Sequence, residues 1–279
     1  MTLIAAYSYE PYRTVFVSDF RTTGKPPLHS DNAFKFVPIG SSAGVFLAGN
    51  VDGWITIFER ESQRLNAIQN ENFIEDFSSI LRDYATSTTP ILNHKKALDA
   101  LGFIIDASNN SNKTFHIEYI QGIGAKISEL EKNQVYLFGS GADIKGLKAY
   151  LNKALFNYTS DLKRPSHQKE PYLVANTFES LISTYIENLN DPSIYQQKGI
   201  SNVFSYGYID QGIFKICSYQ DKKFQEKGKE PQELSFEKNE KGDIVLVDKT
   251  KKVVSNLFSL DKINLDKRIT IDPFDREKS

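Results

Sequence analysis

The residue that most clearly suggests chemistry in this chain is a threonine at position two, directly after Met1. Removal of Met1 would leave Thr2 with a hydroxyl and a free α-amine on one residue. A threonine hydroxyl is a weak nucleophile at neutral pH, but an amine with a reference pKa near ~8 can accept its proton, directly or through water. The sequence therefore predicts a nucleophile and its base on one residue once Met1 is removed.

Three further motifs follow Thr2 along four strand-like runs. The triplet Asp19 to Arg21 ends the second run, Lys35 starts the third, and Gly49 ends the fourth. This order resembles the β-type subunits of proteasomes and the related bacterial ring peptidase, in the N-terminal nucleophile (Ntn) hydrolase family. The intervals of sixteen and fourteen positions agree with that family's pattern. The interval from Thr2 is one residue longer, and we expect a longer hairpin turn over residues 9–13 to absorb it.

The resemblance implies a role for each of these residues. A lysine beside the Thr2 amine, here Lys35, would disfavour protonation of that amine and favour a developing alkoxide. Asp19 would hold the lysine by an ion pair and hydrogen bonds, with Arg21 as a supporting residue. The N–H of Gly49 could point at the tetrahedral oxyanion, and loss of one such donor typically costs about 3 kcal/mol.

Two serines complete the predicted site, and one expected carboxylate is missing. Ser140, in a strand-Gly-Ser-Gly-helix junction, corresponds to the serine beside the catalytic threonine. The family usually has an Asp-x-x-Ser before a late strand. Ser201 fits its serine, whereas Lys198 stands where the aspartate is expected. Asp191 could replace that carboxylate if residues 194–197 loop out.

Each of these residues also has a structural interpretation without catalysis. A threonine at position two is common, and Asp19 with Arg21 could be a pair at a strand end. Lys35, between two phenylalanines of an alternating strand, could face solvent. Gly49 could mark a helix entry, and Ser140 could cap an ordinary strand-to-helix turn. The joint occurrence in one order favours the catalytic interpretation.

The hydrophobic pattern predicts an α+β fold. It indicates two strand hairpins, a helix pair, two more strands, another helix pair and a final hairpin. The resemblance, over roughly residues 2 to 217, implies a four-layer α-β-β-α sandwich. We expect an Ntn-hydrolase-like domain over 1–218 and a C-terminal extension over 219–279. Within it, a solvated loop is predicted over 219–241, short strands around 243–254 and an edge strand near 269–273.

Composition limits the classes of partner. With 34 basic and 35 acidic residues, the chain has no strong field for nucleic acid or a membrane surface. No apolar run reaches membrane-spanning length and no signal sequence is evident, so a cytoplasmic location is expected. The single cysteine, Cys217, excludes an internal disulfide. The four histidines show no ligand spacing, so neither a metal nor a cofactor is expected.

Two functions remain open at this point. The first is a threonine-type amidohydrolase, expected to be a peptidase, that acts on a peptide or amide substrate and assembles as a homo-oligomer, in relatives a ring. The second is a non-catalytic member of the same fold that serves a structural or interaction role, as α-type proteasome subunits do.

Overall fold

A computed structural model describes most of the first 218 residues and several segments beyond them. The described residues are 2–19, 22–23, 29–30, 35–39, 42–87, 98–106, 108–120, 124–161, 165–189, 191, 193–201, 204–218, 222–224, 232–238, 244–248, 253–256 and 269–271. They form a mixed α/β fold with two large sheets, antiparallel apart from one edge strand, and four longer helices.

The first large sheet has six strands and contains both ends of the described chain. Its strands are β1 (Ile4–Glu10), β2 (Arg13–Asp19), β10 (Val135–Phe138), β11 (Phe204–Asp210), β12 (Ile213–Ser218) and β17 (Ile269–Ile271). Their order is β10-β1-β2-β11-β12-β17, and only the last pair is parallel. β1 and β2 are buried on both faces, as expected for near-continuous apolar runs.

The second large sheet has five strands in sequence order. They are β5 (Phe36–Ile39), β6 (Ala43–Gly49), β7 (Leu98–Asp106), β8 (Ser111–Ile120) and β9 (Gly124–Glu129). All neighbouring strands pair antiparallel. A two-stranded ribbon, β3 (Thr22–Thr23) with β4 (His29–Ser30), lies between β2 and β5 in the sequence.

Five helices connect the strands. They are α1 (Val51–Ala67), α2 (Phe73–Ser87), α3 (Leu147–Ser160), α4 (Pro171–Asn188) and the short α5 (Ile194–Lys198). A 3₁₀ turn over Asn70–Asn72 separates α1 from α2, so the second apolar stripe is a separate helix. α4 begins with Pro171, which suits the first helical turn because no hydrogen-bond donor is needed there.

Three apolar clusters show what each sheet packs against. One joins the two large sheets through aromatic side chains such as Phe16, Phe103 and Phe214. A second joins the six-stranded sheet to α3 and α4, and a third joins the five-stranded sheet to α1 and α2. Residues alternate between clusters along a strand, as β geometry requires: Ile4 belongs to the first and Ala5 to the second.

The C-terminal segments form a further antiparallel sheet. Its strands are β13 (Lys222–Phe224), β14 (Gln232–Lys238), β15 (Ile244–Asp248) and β16 (Val253–Asn256). The expected strands near 243–254 are present, and β17 forms the expected edge. The solvated loop predicted over 219–241 is wrong where β13 and β14 pair. The boundary between 218 and 219 stays a prediction.

Two local predictions need correction. A third is located more closely: the register of the β1–β2 hairpin shifts between Ser8 and Glu10, inside the stretch 9–13 where the extra residue was expected. β9 was not expected. A 3₁₀ turn over Ser140–Asp143 follows β10, and helix α3 begins only at Leu147, after a left-handed glycine.

Candidate active site

Thr2 lies two residues before β1 begins, where the chain enters the six-stranded sheet. Its side chain is buried, with 2% of the residue exposed. The backbone around it is fixed on both sides. Asp19 N–H donates to the Leu3 carbonyl at 3.0 Å, and Gly141 N–H donates to the Thr2 carbonyl at 3.0 Å. Thr2 is therefore held between the end of β2 and the turn that follows β10.

The Asp19 carboxylate collects donors from several parts of the chain. Its Oδ1 accepts hydrogen bonds from the Thr2 hydroxyl, the Lys35 ammonium group and the Leu3 N–H, the last at 2.9 Å. Its Oδ2 accepts the Ser201 N–H at 3.0 Å. Because Asp19 is almost fully buried, this charge needs the paired ammonium and the dipolar donors. The carboxylate fixes Thr2 and Lys35 relative to each other.

Lys35 directly precedes β5 and points into the protein. It is 6% exposed and forms an ion pair with Asp19, so the interpretation as a solvent-facing strand residue is wrong. Its carbonyl accepts the Leu47 N–H at 2.8 Å, which ties it to β6. Lys35 thus comes from the five-stranded sheet, whereas Asp19 and Thr2 belong to the six-stranded one. The ion pair joins the two sheets at the site.

Ser140 contacts the Thr2 nitrogen. The Thr2 N–H donates to Ser140 Oγ at 3.2 Å, and the Ser140 hydroxyl donates to the carbonyl of Lys198. While Met1 is present this nitrogen belongs to the Met1–Thr2 peptide, and removal of Met1 would convert it to an amine. Lys198, where the sequence lacks the expected aspartate, therefore contributes its backbone carbonyl at the end of α5.

Gly139 allows the turn to approach Thr2 closely. Its φ is +77°, a left-handed conformation in which glycine is strongly favoured. A Cβ at this position would lie 2.4 Å from the Thr2 carbonyl oxygen and 2.5 Å from Thr2 Cγ2. Both backbone strain and lack of space therefore require glycine here.

Gly49 ends β6 on the edge that faces Lys35. The Leu47 N–H donates to the Lys35 carbonyl, and along an extended strand the next N–H on that edge is the one of Gly49. The same peptide group carries the Ala48 carbonyl, which accepts the indole N–H of the buried Trp54 at 2.7 Å. Helix α1 thus fixes the peptide plane that carries the Gly49 N–H.

Two residues near the site were not expected from the sequence. Asp99, opposite Ala48 in the β6–β7 pair, accepts the Gly139 N–H at 3.4 Å and the His116 Nε2–H at 2.9 Å. The hydrogen bond to Asp99 raises the pKa of His116, while partial burial opposes the shift. Neither residue has a sequence signal, because the contacts join strands that are distant in the chain.

The two supporting candidates are not among these contacts. Arg21 lies outside the described residues. Asp191 is exposed, and its carboxylate accepts the N–H of Ser193 at 3.0 Å and the Ser193 hydroxyl, directly before α5. This pattern is typical of a helix start. The structure brings Thr2, Asp19, Lys35, Ser140 and the backbone N–H of Ser201 together, and places Asp191 at the start of α5.

The arrangement can support nucleophilic chemistry on an amide. A hydroxyl, a nitrogen that becomes a free amine, a buried ammonium group and a carboxylate lie within one hydrogen-bonded group around Thr2. Among the described residues, no cluster of three or more His, Cys, Asp or Glu side chains could hold a metal ion.

Comparisons with known proteins add a similarity of the fold. No protein-family model and no curated protein sequence matches this chain. Among solved structures, the crystal structure of eukaryotic HslV from Trypanosoma brucei is similar over 75% of this chain and 99% of that one, with 14% identity and a TM-score of 0.47.

The described helices are also informative about membranes. Within the part of the chain that the structure describes, no helix is both long and apolar enough to cross a bilayer.

Proposed function

We propose that this chain is an N-terminal threonine amidohydrolase, a proteasome-like peptidase in which Thr2 is the nucleophile after removal of Met1. One observation carries the proposal. The Thr2 hydroxyl and the Lys35 ammonium group bind the same oxygen of the buried Asp19 carboxylate, although they come from different sheets. An ordinary ion pair at a strand end could lie at the surface. It would not require a lysine and a threonine to be buried together beside the carboxylate.

The reaction follows from the positions of these groups. The Thr2 hydroxyl attacks the carbonyl carbon of an amide, and its proton passes to the Thr2 α-amine, directly or through water. Lys35 favours the neutral amine and the developing alkoxide through its positive charge. The Gly49 N–H stabilises the oxyanion of the tetrahedral intermediate. The amine then protonates the leaving group, and an ester remains on Thr2.

Water completes the cycle by hydrolysing that ester. The same amine deprotonates the water, and the acid product leaves with Thr2 restored. Ser140 holds the nitrogen in this scheme, because its hydroxyl bonds both the Thr2 nitrogen and the Lys198 carbonyl. Ser201 holds Asp19 through its backbone N–H. Arg21 and Asp191 stay candidate supporting residues.

The proposal extends to architecture and assembly. The three apolar clusters join a helix pair to each large sheet and the two sheets to each other. This is the packing expected of a four-layer α-β-β-α sandwich. We propose that residues 1–218 form the hydrolase-like domain and that the substrate is a peptide or another amide. We also propose that the chain assembles as a homo-oligomer, such as a ring, and is cytoplasmic. Light scattering on the purified chain tests the assembly, and fractionation of the source cells tests the location.

A second function is favoured by one observation. Thr2 is only 2% exposed while Met1 is in place, and an amide substrate must reach its hydroxyl. A chain that keeps Met1 would use this polar cluster only for stability, as a non-catalytic structural or interaction protein. The two functions differ in the state of the amino terminus.

Hydrolysis by Thr2 variants tests the proposal. A mixture of fluorogenic peptide amides is incubated with the wild type, Thr2→Ser and Thr2→Ala. We expect Thr2→Ser to retain measurable turnover because a hydroxyl remains, and Thr2→Ala to lose it. Equal turnover by Thr2→Ala and the wild type would exclude Thr2 as the nucleophile.

A further inference from the structure

Asp99 lies where the two large sheets meet beside Thr2. It belongs to β7 of the five-stranded sheet and pairs with Ala48, the neighbour of Gly49. Its Oδ2 accepts the N–H of Gly139, which directly follows β10 of the six-stranded sheet. The Lys35–Asp19 ion pair and the Asp99–Gly139 hydrogen bond are thus two links between the sheets at the same place.

The turn that Asp99 contacts touches Thr2 through three consecutive residues. Gly139 packs against the Thr2 carbonyl and methyl group, Ser140 bonds the Thr2 nitrogen, and Gly141 N–H donates to the Thr2 carbonyl. A displacement of this turn by a fraction of an ångström would move the nitrogen that must receive the proton. Misplacement on that scale is costly in catalysis.

His116 orients the carboxylate of Asp99. Its Nε2–H donates to Asp99 Oδ1 at 2.9 Å, which leaves Oδ2 for the Gly139 N–H. The ring also packs on Phe138, the residue before Gly139, with ring centroids 5.1 Å apart. His116 therefore contacts the β10 end both directly and through Asp99.

We propose that Asp99, oriented by His116, is a positioning residue that holds the Gly139–Ser140–Gly141 turn against Thr2. The inference rests on the proposed function for its effect on rate, whereas its effect on the turn is independent of any activity. Asp99 touches neither the substrate nor the nucleophile in this scheme.

Charge gives the pair a second effect. While His116 is protonated, the Asp99–His116 pair has no net charge. Loss of that proton leaves a negative charge near the site, which would favour the protonated, inactive form of the Thr2 amine. The other charged groups around His116 are Glu118 on its own strand, which raises its pKa, and Lys126 on β9, which lowers it. The pair therefore disfavours the neutral, active form of the Thr2 amine less below the pKa of His116 than above it.

The first experiment measures the turn without any substrate. Amide hydrogen exchange at Gly139 is compared among the wild type, Asp99→Asn and Asp106→Asn. Asp106 is the matched control because it ends the same strand, is partly exposed, and accepts hydrogen bonds from Ser108 and Asn109 of its own turn. We expect exchange at Gly139 to be about tenfold faster in Asp99→Asn and unchanged in Asp106→Asn. Equal exchange in the two variants would overturn the proposal.

The second experiment measures the rate of acylation of Thr2 by a β-lactone between about pH 6 and pH 9. We expect Asp99→Asn to react about tenfold more slowly. His116→Gln keeps an N–H donor without the charge, so it should leave the turn in place but react, at every pH, at the lower rate that the wild type shows above the pKa of His116, without the decline caused by histidine deprotonation. A wild-type rate and pH profile in Asp99→Asn would overturn the effect on catalysis.

Failure of the proposed function would be visible separately. If the wild type loses Met1 but Thr2 is not acylated at any pH, the proposed function fails. The exchange at Gly139 would then still decide whether Asp99 holds the turn. The His116 titration followed by NMR gives an independent check, because Asp99→Asn should lower the pKa of His116. An unchanged titration would contradict the role of His116 as the partner of Asp99.

Discussion

Among single residues, the buried carboxylate of Asp19 has the most contacts in the proposed site. Asp19 accepts four donors, from Thr2, Leu3, Lys35 and Ser201, in a region with almost no solvent exposure. A buried charge is expensive unless it is paired and fully hydrogen-bonded. The same contacts that satisfy Asp19 also place the Thr2 hydroxyl next to the Lys35 ammonium group, so stability and chemistry depend on one group.

Removal of the lysine should therefore affect both properties. Lys35→Met leaves the Asp19 carboxylate without its buried counter-charge, and we expect a loss of about 3–5 kcal/mol in the free energy of unfolding. Acylation of Thr2 should fall by at least ~100-fold, an effect of the size seen when a stabilising charge is removed from an active site. Urea denaturation and β-lactone kinetics measure the two effects.

A surface lysine provides the control. Lys113 forms an ion pair with Glu129 at 3.5 Å, and both side chains are more than half exposed. Lys113→Met should change the free energy of unfolding by less than about 1 kcal/mol and leave acylation as in the wild type. Similar losses in both lysine variants would contradict a special role for Lys35.

The sequence predicted which residues lie together around Thr2 better than it predicted the contacts that hold them there. Thr2, Asp19, Lys35 and Ser140 were expected together, because their types and order carry the resemblance. Asp99 and His116 were not, because a contact between β7, β8 and β10 leaves no local pattern. The role of Lys198 was also hidden, since a backbone carbonyl can be supplied by any residue type.

At the scale of secondary-structure elements, the turn after β10 is the most constrained segment of the site. Gly139→Ala combines a left-handed φ, which costs roughly 1–2 kcal/mol for an L-residue, with a Cβ 2.4 Å from the Thr2 carbonyl oxygen. We expect a loss of about 2–5 kcal/mol in the free energy of unfolding once the overlap is included. Acylation of Thr2 should also be slower. Urea denaturation and β-lactone kinetics measure both.

A second glycine separates strain from overlap. Gly124 also has a positive φ, +106°, but a Cβ there would meet nothing within 4 Å. Gly124→Ala should therefore show only the cost of strain and leave acylation as in the wild type. If the two alanine variants lose equal stability and neither slows acylation, the close approach of Gly139 to Thr2 has no consequence.

Helix α1 should influence the rate through the end of β6. Trp54→Phe keeps an aromatic ring but removes the indole N–H that binds the Ala48 carbonyl. The peptide that carries the Gly49 N–H would be less fixed, and we expect kcat to fall by roughly threefold to tenfold with little change in KM. Complete loss of an oxyanion donor would cost more, about 100-fold to 1000-fold. Steady-state kinetics on a peptide amide measures both parameters.

Another variant in the same cluster controls for lost volume. Phe77, fully buried on α2, packs against Trp54 with ring centroids 6.5 Å apart. Phe77→Leu should reduce stability without removing any hydrogen bond. A fall in kcat in Phe77→Leu as large as in Trp54→Phe would show that packing, and not the indole N–H, is responsible.

The elements themselves were largely predictable from periodicity. β5, β6 and the helices α1 to α4 follow alternating or helical apolar patterns and lie close to their expected positions. β9 was missed because its residues are only partly buried, so its pattern is weak. β14 was missed because three of its seven residues are charged, and pairing with β15 outweighs that composition.

At the scale of the whole molecule, the C-terminal segments return to the first sheet. β17 pairs with β12 at the edge of the six-stranded sheet, with Ile269 opposite Phe214 and Ile271 opposite Ile216. An unpaired edge with apolar residues promotes association between chains. The last strand therefore protects the edge of the sheet that contains Thr2.

Truncation tests this contribution. A chain ending at residue 268 lacks β17 but keeps β13 to β16, and we expect it to self-associate more than the unshortened chain and to unfold at a lower urea concentration. A chain ending at residue 271 keeps the strand and should behave as the full chain does. Light scattering and urea denaturation compare the three. If the shorter chain matches the full chain in both, β17 does not stabilise the edge.

The central claim is that Thr2 becomes a working N-terminal nucleophile, and intact mass tests it most directly. The mass of the purified chain is measured before and after treatment with a threonine-directed β-lactone, and the adduct is located by fragmentation. We expect a chain without Met1 and one adduct on Thr2 that is absent in Lys35→Met. A chain that retains Met1 and takes up no adduct would contradict it and would leave a hydrolase-like fold with a structural or binding role.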